Sequence, residues 1–219
     1  DQGVWGVVSD ASMANEGVKS QGGFVVMFAD SCILKGDVAW MSLLARRSHR
    51  VRRVVKATLG SEALAMDDGL AELEWIKMMF AETCLVDTCI FDGTRFGHDE
   101  SFSVIRCASG DDEAFLVTDA KALYDLFNRR SGAAGQCRRA QIDVAVMHAS
   151  ATVLNAKVHW IPGDRMLSDC LTKRAGNAAL MRRCLRLGRF ALSKKGLDEI
   201  MCLELSAGDE PVGEFARTA

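Results

Sequence analysis

A mixed α/β fold, with three antiparallel strands followed by parallel additions and flanking helices, is predicted by three features of this 219-residue sequence. Valine-rich apolar runs joined by short turns open the chain, as in an antiparallel meander. Helical and strand-like periodicities then alternate, giving the order three strands, helix, strand, helix, helix, strand, helix. Segregated elements of this kind point to a mixed five-stranded sheet rather than a doubly wound one. Finally, two of the apolar runs end in aspartate, at Asp10 and Asp119, which sets their carboxylates at strand ends.

Gly3 to Asp10 is the first strand, Ser12 to Gln21 a small polar turn, and Gly22 to Phe28 the second strand. Cys32 to Lys35 begins a third, which continues through Asp37 to Leu44 with Trp40. The basic residues after it read as an excursion. From Ser61, a plausible N-cap, the residues Leu64, Ala65, Leu70, Leu73, Ile76, Met79 and Phe80 recur at helical spacing, which puts Glu62 in a first turn. Such a glutamate often serves only the helix dipole. Thr83 to Glu113 reads as an insertion, with Phe102 to Cys107 a strand inside it. Ala114 to Asp119 is a strand, Ala120 to Phe127 and Arg138 to Ala151 are helices, and Ala156 to Ile161 is the last strand. Pro162-Gly163 turns the chain into a helix beginning at Leu167, with Asp169 in its first turn. Ala178 to Leu192 reads as a basic amphipathic helix, and the residues beyond it as a fraying tail.

Composition narrows the class. With 49% hydrophobic residues, 26% charged and 2 prolines, the chain is globular rather than disordered or fibrous. The 8 cysteines form no CxxC pair and no zinc spacing, as free thiols in a reducing intracellular compartment would. No run of about eighteen apolar residues occurs, so no membrane partner is expected. The start, without methionine or signal peptide, suggests a segment of something longer.

The net charge of −2 conceals segregation. Ala39 to Gly60 carries only cations (Arg46, Arg47, Arg50, Arg52, Arg53, Lys56), and so does Cys170 to Lys195, whereas Glu62 to Asp119 is acidic. Basic patches suit a polyanionic partner. If the strands ending at Asp10 and Asp119 lie side by side, their carboxylates meet at one sheet edge, where helix starts can add Glu62 and Asp169. Four acids held so close make sense only around hard cations such as Mg2+ or Mn2+.

Five pieces carry a family likeness: VSDAS at Val8 to Ser12, GSEALA at Gly60 to Ala65, LVTDAKAL at Leu116 to Leu123, RRAQID at Arg138 to Asp143, and WIPGDRMLSDCLTK at Trp160 to Lys173. In these the sequence resembles the ribonuclease H domain of copia-type LTR retrotransposon polyproteins. The resemblance implies a ribonuclease H-like fold over residues 1–175, with insertions near 45–59 and 83–113, and a basic helical extension and tail at 176–219. It also implies a catalytic and metal-binding set of Asp10, Glu62, Asp119 and Asp169 around two Mg2+ or Mn2+ ions, with Asp10, on the central strand, bridging them. The implied reaction is two-metal hydrolysis of the RNA strand of an RNA:DNA hybrid, leaving a 5′-phosphate and a 3′-hydroxyl. The implied partners are the hybrid and a reverse transcriptase domain of the same polyprotein, in cytoplasmic particles or the nucleus.

Arg138, Arg139, Lys173, Arg182, Arg183, Arg186 and Arg189 are the candidates for phosphate contact, the last four at helical spacing. Trp40, Trp75 and Trp160 could stack on bases, but core packing is their commoner role. The chain departs from the family pattern at Gln141, where copia domains carry histidine, and at Asp164, near the place of a loop histidine in cellular and retroviral relatives; His159 belongs to the strand before it. Two readings of other classes remain: a domesticated, catalytically weak nucleic-acid-binding module with the same fold, and an integrase or transposase, which expects its glutamate last in the series whereas Glu62 is second.

Overall fold

The computed structural model describes residues 3–13, 20–53, 55, 57–84, 113–128, 138–173, 176 and 178–203. Its strands are β1 (Gly3–Ser12), β2 (Gln21–Asp30), β3 (Ala39–Arg50), β4 (Ala114–Thr118), β5 (Ala156–Trp160) and the two-residue β6 (Arg189–Phe190). They form one sheet in the order β5-β4-β1-β2-β3-β6. The β1, β2 and β3 strands are antiparallel neighbours, while β4 pairs parallel with β1 and β5 parallel with β4. Three antiparallel strands followed by parallel additions is the arrangement expected, with a sixth strand added at the β3 edge.

The strands nearest the centre are apolar along nearly their whole length because both sheet faces are covered. One face carries Trp5, Val7, Phe24, Val26 and Leu116 and is packed by three helices: α1 (Thr58–Cys84), α2 (Lys121–Asn128) and α3 (Arg138–Val153). The other carries Val4, Val8, Val25, Met27 and Val117. It is covered by the approach to the one-turn α4 (Asp169–Thr172), then by α5 (Ala178–Leu187) and α6 (Lys194–Cys202), through Met166, Leu167, Leu180, Met181, Leu197 and Ile200.

Several sequence expectations are corrected. Ser31–Lys35 is a 3-10 turn closed by Gly36 in the left-handed region, φ 88°, rather than the start of a strand. The basic run is no excursion through Arg50: Arg46, Arg47 and Arg50 continue β3, because the backbone of β2 offers its edge and the side chains can point to water. Helix α1 begins at Thr58, and Ser61 donates back to the Thr58 carbonyl (2.8 Å) rather than capping. Glu62 therefore lies in the body of the helix, away from the dipole position. The C-terminal basic helix stops at Leu187, where Gly188 (φ 60°) turns the chain into β6. Of the residues expected to fray, Lys194–Cys202 instead complete a core as α6, while 204–219 lie outside the described residues. Most of the 83–113 insertion, including the expected strand at Phe102 to Cys107, lies outside the described residues.

Candidate active site

The parallel register explains why Asp10 and Asp119 meet. Val8 pairs with Val117, so two further residues along each strand bring both aspartates to the same sheet end on the same face. Glu62 arrives there from α1, on the opposite side of the sheet. Asp10, Glu62 and Asp119 each offer a carboxylate oxygen, and these oxygens lie within 4.8 Å of one another. Asp10 is 1% exposed and Glu62 8% exposed, and the Glu62 Oε2 atom is buried with no hydrogen-bond partner among the described residues.

Such crowding disfavours ionisation. Burial, then the charges of Asp10 and Asp119, push the Glu62 carboxyl up to about 9. Burial also raises Asp10, against the opposing effects of the Thr172 hydrogen bond and Lys173, and it raises Asp119, reinforced by Asp10. The three acids therefore resist simultaneous charge unless a cation joins them. An all-oxygen donor set with an orphaned buried oxygen fits a hard divalent ion such as Mg2+ or Mn2+.

Asp169 stands at the first position of α4 but is not in the converging trio. It reaches the site through Lys173, whose ammonium hydrogen-bonds Asp169 Oδ1 and lies 3.7 Å from Asp10 Oδ2. The short helix is tied to the sheet from several directions. Ser12 Oγ donates to the Thr172 carbonyl (2.8 Å), Ser48 Oγ donates to the Leu171 carbonyl, and Thr172 Oγ1 donates to Asp10 Oδ2. Gly23 permits the approach: a Cβ there would stand 2.7 Å from Leu171 Cβ and 2.9 Å from Thr172 Cγ2. Sequence reasoning missed the holding roles of Ser12, Ser48 and Thr172, although Thr172 lies within the LTK motif.

The basic candidates divide. Lys173 belongs to the acid cluster. Arg139 and Arg182 are exposed on α3 and α5, Arg186 is also exposed on α5, and Arg138 opens α3. Arg183 turns inward, its Nε donating to the Ile200 carbonyl (2.6 Å), and so joins α5 to α6. Arg189, on β6 rather than the helix, lies 4.2 Å from the Trp40 ring centroid. The last four arginines therefore form no single helical stripe. Burial pushes the Cys170 thiol up.

The tryptophans expected in the core are exposed: Trp40 59%, Trp75 56% and Trp160 42%. Trp160 ends β5, and its indole Nε1 donates to the Asp119 carbonyl (2.9 Å), so an exposed ring braces the backbone of a site acid. His159 precedes it on β5, with burial lowering its imidazole pKa, and Asp164 is exposed in the turn after Pro162.

No family model matches the sequence, and no curated protein does. Solved structures to which the chain is similar are of low identity. The N-terminal RNase H domain of a Mycobacterium tuberculosis protein, solved as a maltose-binding-protein fusion, is 16% identical over 83% of this chain and 99% of that one, with a TM-score of 0.47. LC11-RNase H1, isolated from compost by a metagenomic approach, is 16% identical over 81% and 98%, TM-score 0.48. RNase H1 from the halophilic archaeon Halobacterium salinarum is 14% identical over 81% and 98%, TM-score 0.44. The site stands on its own geometry.

Proposed function

We propose that this chain is a metal-dependent ribonuclease H that hydrolyses the RNA strand of RNA:DNA hybrids. The observation that carries the reading is the convergence of Asp10, Glu62 and Asp119 within 4.8 Å, with a partnerless Glu62 oxygen in a buried position. Asp10, Glu62 and Asp119 would hold the ion, and Asp169 would extend the donor set towards a second one. A divalent ion bound there supplies a lowered pKa for an attacking water and charge stabilisation for the departing oxygen.

The chain's own residues do the rest. Thr172 fixes the rotamer of Asp10, the Trp160 indole holds the Asp119 backbone, and Ser12 and Ser48 hold α4 and hence Asp169. Arg46 on β3 and Arg182 on α5, both exposed, are available to the phosphates of a bound duplex. Ribose 2′-hydroxyls give the preference for RNA.

The VSDAS, GSEALA, LVTDAKAL, RRAQID and WIPGDRMLSDCLTK pieces support a finer reading: a domain of a copia-type retrotransposon polyprotein, acting beside a reverse transcriptase domain in cytoplasmic particles or the nucleus. They equally support the division into a ribonuclease H-like portion, 1–175, and an appended 176–219. One observation favours a second reading, a non-catalytic hybrid-binding module: Lys173 already neutralises part of the acid cluster.

Incubation of the protein with a strand-labelled RNA:DNA hybrid and Mg2+ or Mn2+, beside Asp119→Asn, separates the readings. RNA cleavage that Asp119→Asn loses supports the nuclease. Wild-type cleavage no better than the variant's, with hybrid binding kept, supports the binding module. A cut DNA strand with intact RNA supports an integrase or transposase.

A further inference from the structure

Lys173 was a candidate for phosphate contact, yet its ammonium is turned into the acid cluster. It hydrogen-bonds Asp169 Oδ1 and stands 3.7 Å from Asp10 Oδ2. Its position is set by the backbone: the residue follows the single turn of α4 in extended conformation, its N–H donating to the Asp169 carbonyl (3.0 Å). The turn is itself anchored through the Thr172 and Leu171 carbonyls. The charge is kept as well. Burial alone would lower the Lys173 pKa, but the Asp169 hydrogen bond and the charges of Asp10, Asp169 and Asp119 outweigh it, and the pKa is raised.

A divalent ion between Asp10 and Asp169 would use the same oxygens. Two cations cannot share those oxygens without strong repulsion. We propose that Lys173 is the resident counter-cation of the Asp10–Asp169 half of the cluster and competes with the divalent ion for it. Metal therefore enters the Asp10–Glu62–Asp119 half first, and the second half fills only when the ammonium leaves. The Lys173 side chain is 40% exposed, so it has a path outward, where a substrate phosphate offers it a new partner. Lys173 is thus a positioning residue that links the second ion to the arrival of substrate. The proposal rests on the metal-dependent reading above.

Mn2+ titration of the full chain, followed by the EPR signal of free Mn2+, tests it with wild type, Lys173→Gln, Lys173→Arg and Asp10→Asn. Removing the charge should tighten Mn2+ binding about fivefold, the scale of one partly exposed ion pair, or add a second ion at concentrations where wild type holds one. Lys173→Arg should behave as wild type, and Asp10→Asn should lose the ions. Unchanged or weaker Mn2+ binding by Lys173→Gln, with wild type binding and Asp10→Asn not, overturns the competition and leaves the metal site standing. An ion pair that merely holds α4 gives that result together with a lower Tm. No Mn2+ binding by any of the proteins overturns the metal-site reading, and the competition with it. A second measurement needs no variant: in 13C-lysine-labelled wild type, the Lys173 Cε resonance should stay in place as the first Mg2+ binds and move towards the free-lysine position as the second binds. A resonance that stays in place through binding of a second Mg2+ overturns the proposal.

Discussion

Glu62→Gln isolates the cost of the buried acid. In the metal-free protein the Glu62 carboxyl is pushed from 4.5 to about 9, by burial first and by Asp10 and Asp119 next. A group whose folded pKa is raised stabilises the fold fully below its unfolded value, and that contribution is lost as pH rises towards the folded one. Metal-free wild type should therefore weaken from about pH 4.5 to about 9. Each pH unit in that window is worth about 1.4 kcal/mol for one such group, so the full effect between pH 5 and 8 is about 4 kcal/mol, an upper bound because the site can admit water. For a chain of this size that lowers Tm by about 10 °C. Glutamine keeps the shape without the charge, and its amide can donate to the neighbouring carboxylates. The variant should have a flatter Tm-against-pH curve in EDTA and be more stable than wild type at pH 8. Saturating Mg2+ or Mn2+ should reverse the order, since the wild type has the extra negative ligand. Differential scanning fluorimetry at pH 5 to 8, with EDTA or with metal, reads all of this. Parallel curves for the two proteins in EDTA would refute the assignment of the pH-dependent cost to Glu62.

Thr172→Val leaves the buried Asp10 without its side-chain donor and should cost about 1–3 kcal/mol of stability, measured by urea denaturation at constant m, with cleavage of the hybrid reduced as Asp10 loses its fixed rotamer. Gly23→Ala drives a Cβ against Leu171 and Thr172 and should cost about 1–3 kcal/mol while pushing α4 outward; an unchanged Tm would show that α4 is not clamped there. Trp160→Phe removes the indole bond to the Asp119 carbonyl and should lower kcat on the order of tenfold with little change in KM. Arg182→Ala should weaken hybrid binding and reduce the slope of log affinity against log salt by about one, whereas Arg183→Ala should leave that slope unchanged and lower Tm, because its guanidinium holds the α5–α6 junction.

The parts of the site legible in the sequence are those with a local signature. An apolar run stopped by a charge is visible locally, and two such runs gave Asp10 and Asp119, although β1 itself continues through Ala11 and Ser12. The GSEALA and LSDCLTK pieces added Glu62 and Asp169. Where local pattern and tertiary pairing disagree, the sequence misled. The arginines of β3 lack the alternation of a half-buried strand, yet they pair in register with Gln21 to Val25 because β2 has an edge to fill. The four arginines from Arg182 to Arg189 share helical spacing, but Gly188 ends the helix before the last of them, and Arg183 finds a buried carbonyl on α6.

Sequence alone thus determined the order of strands and helices as far as α5 and the oxygen-rich character of the candidate site, because these follow from periodicity and from which residue types stop an apolar run. Tertiary structure decided what each acid does there. Parallel register brought Asp10 level with Asp119, α1 delivered Glu62 from the far side of the sheet, and the anchored turn of α4 set Lys173 between Asp10 and Asp169. Repulsion, desolvation and ion pairing depend on distances across more than a hundred residues of chain, and no local pattern encodes those.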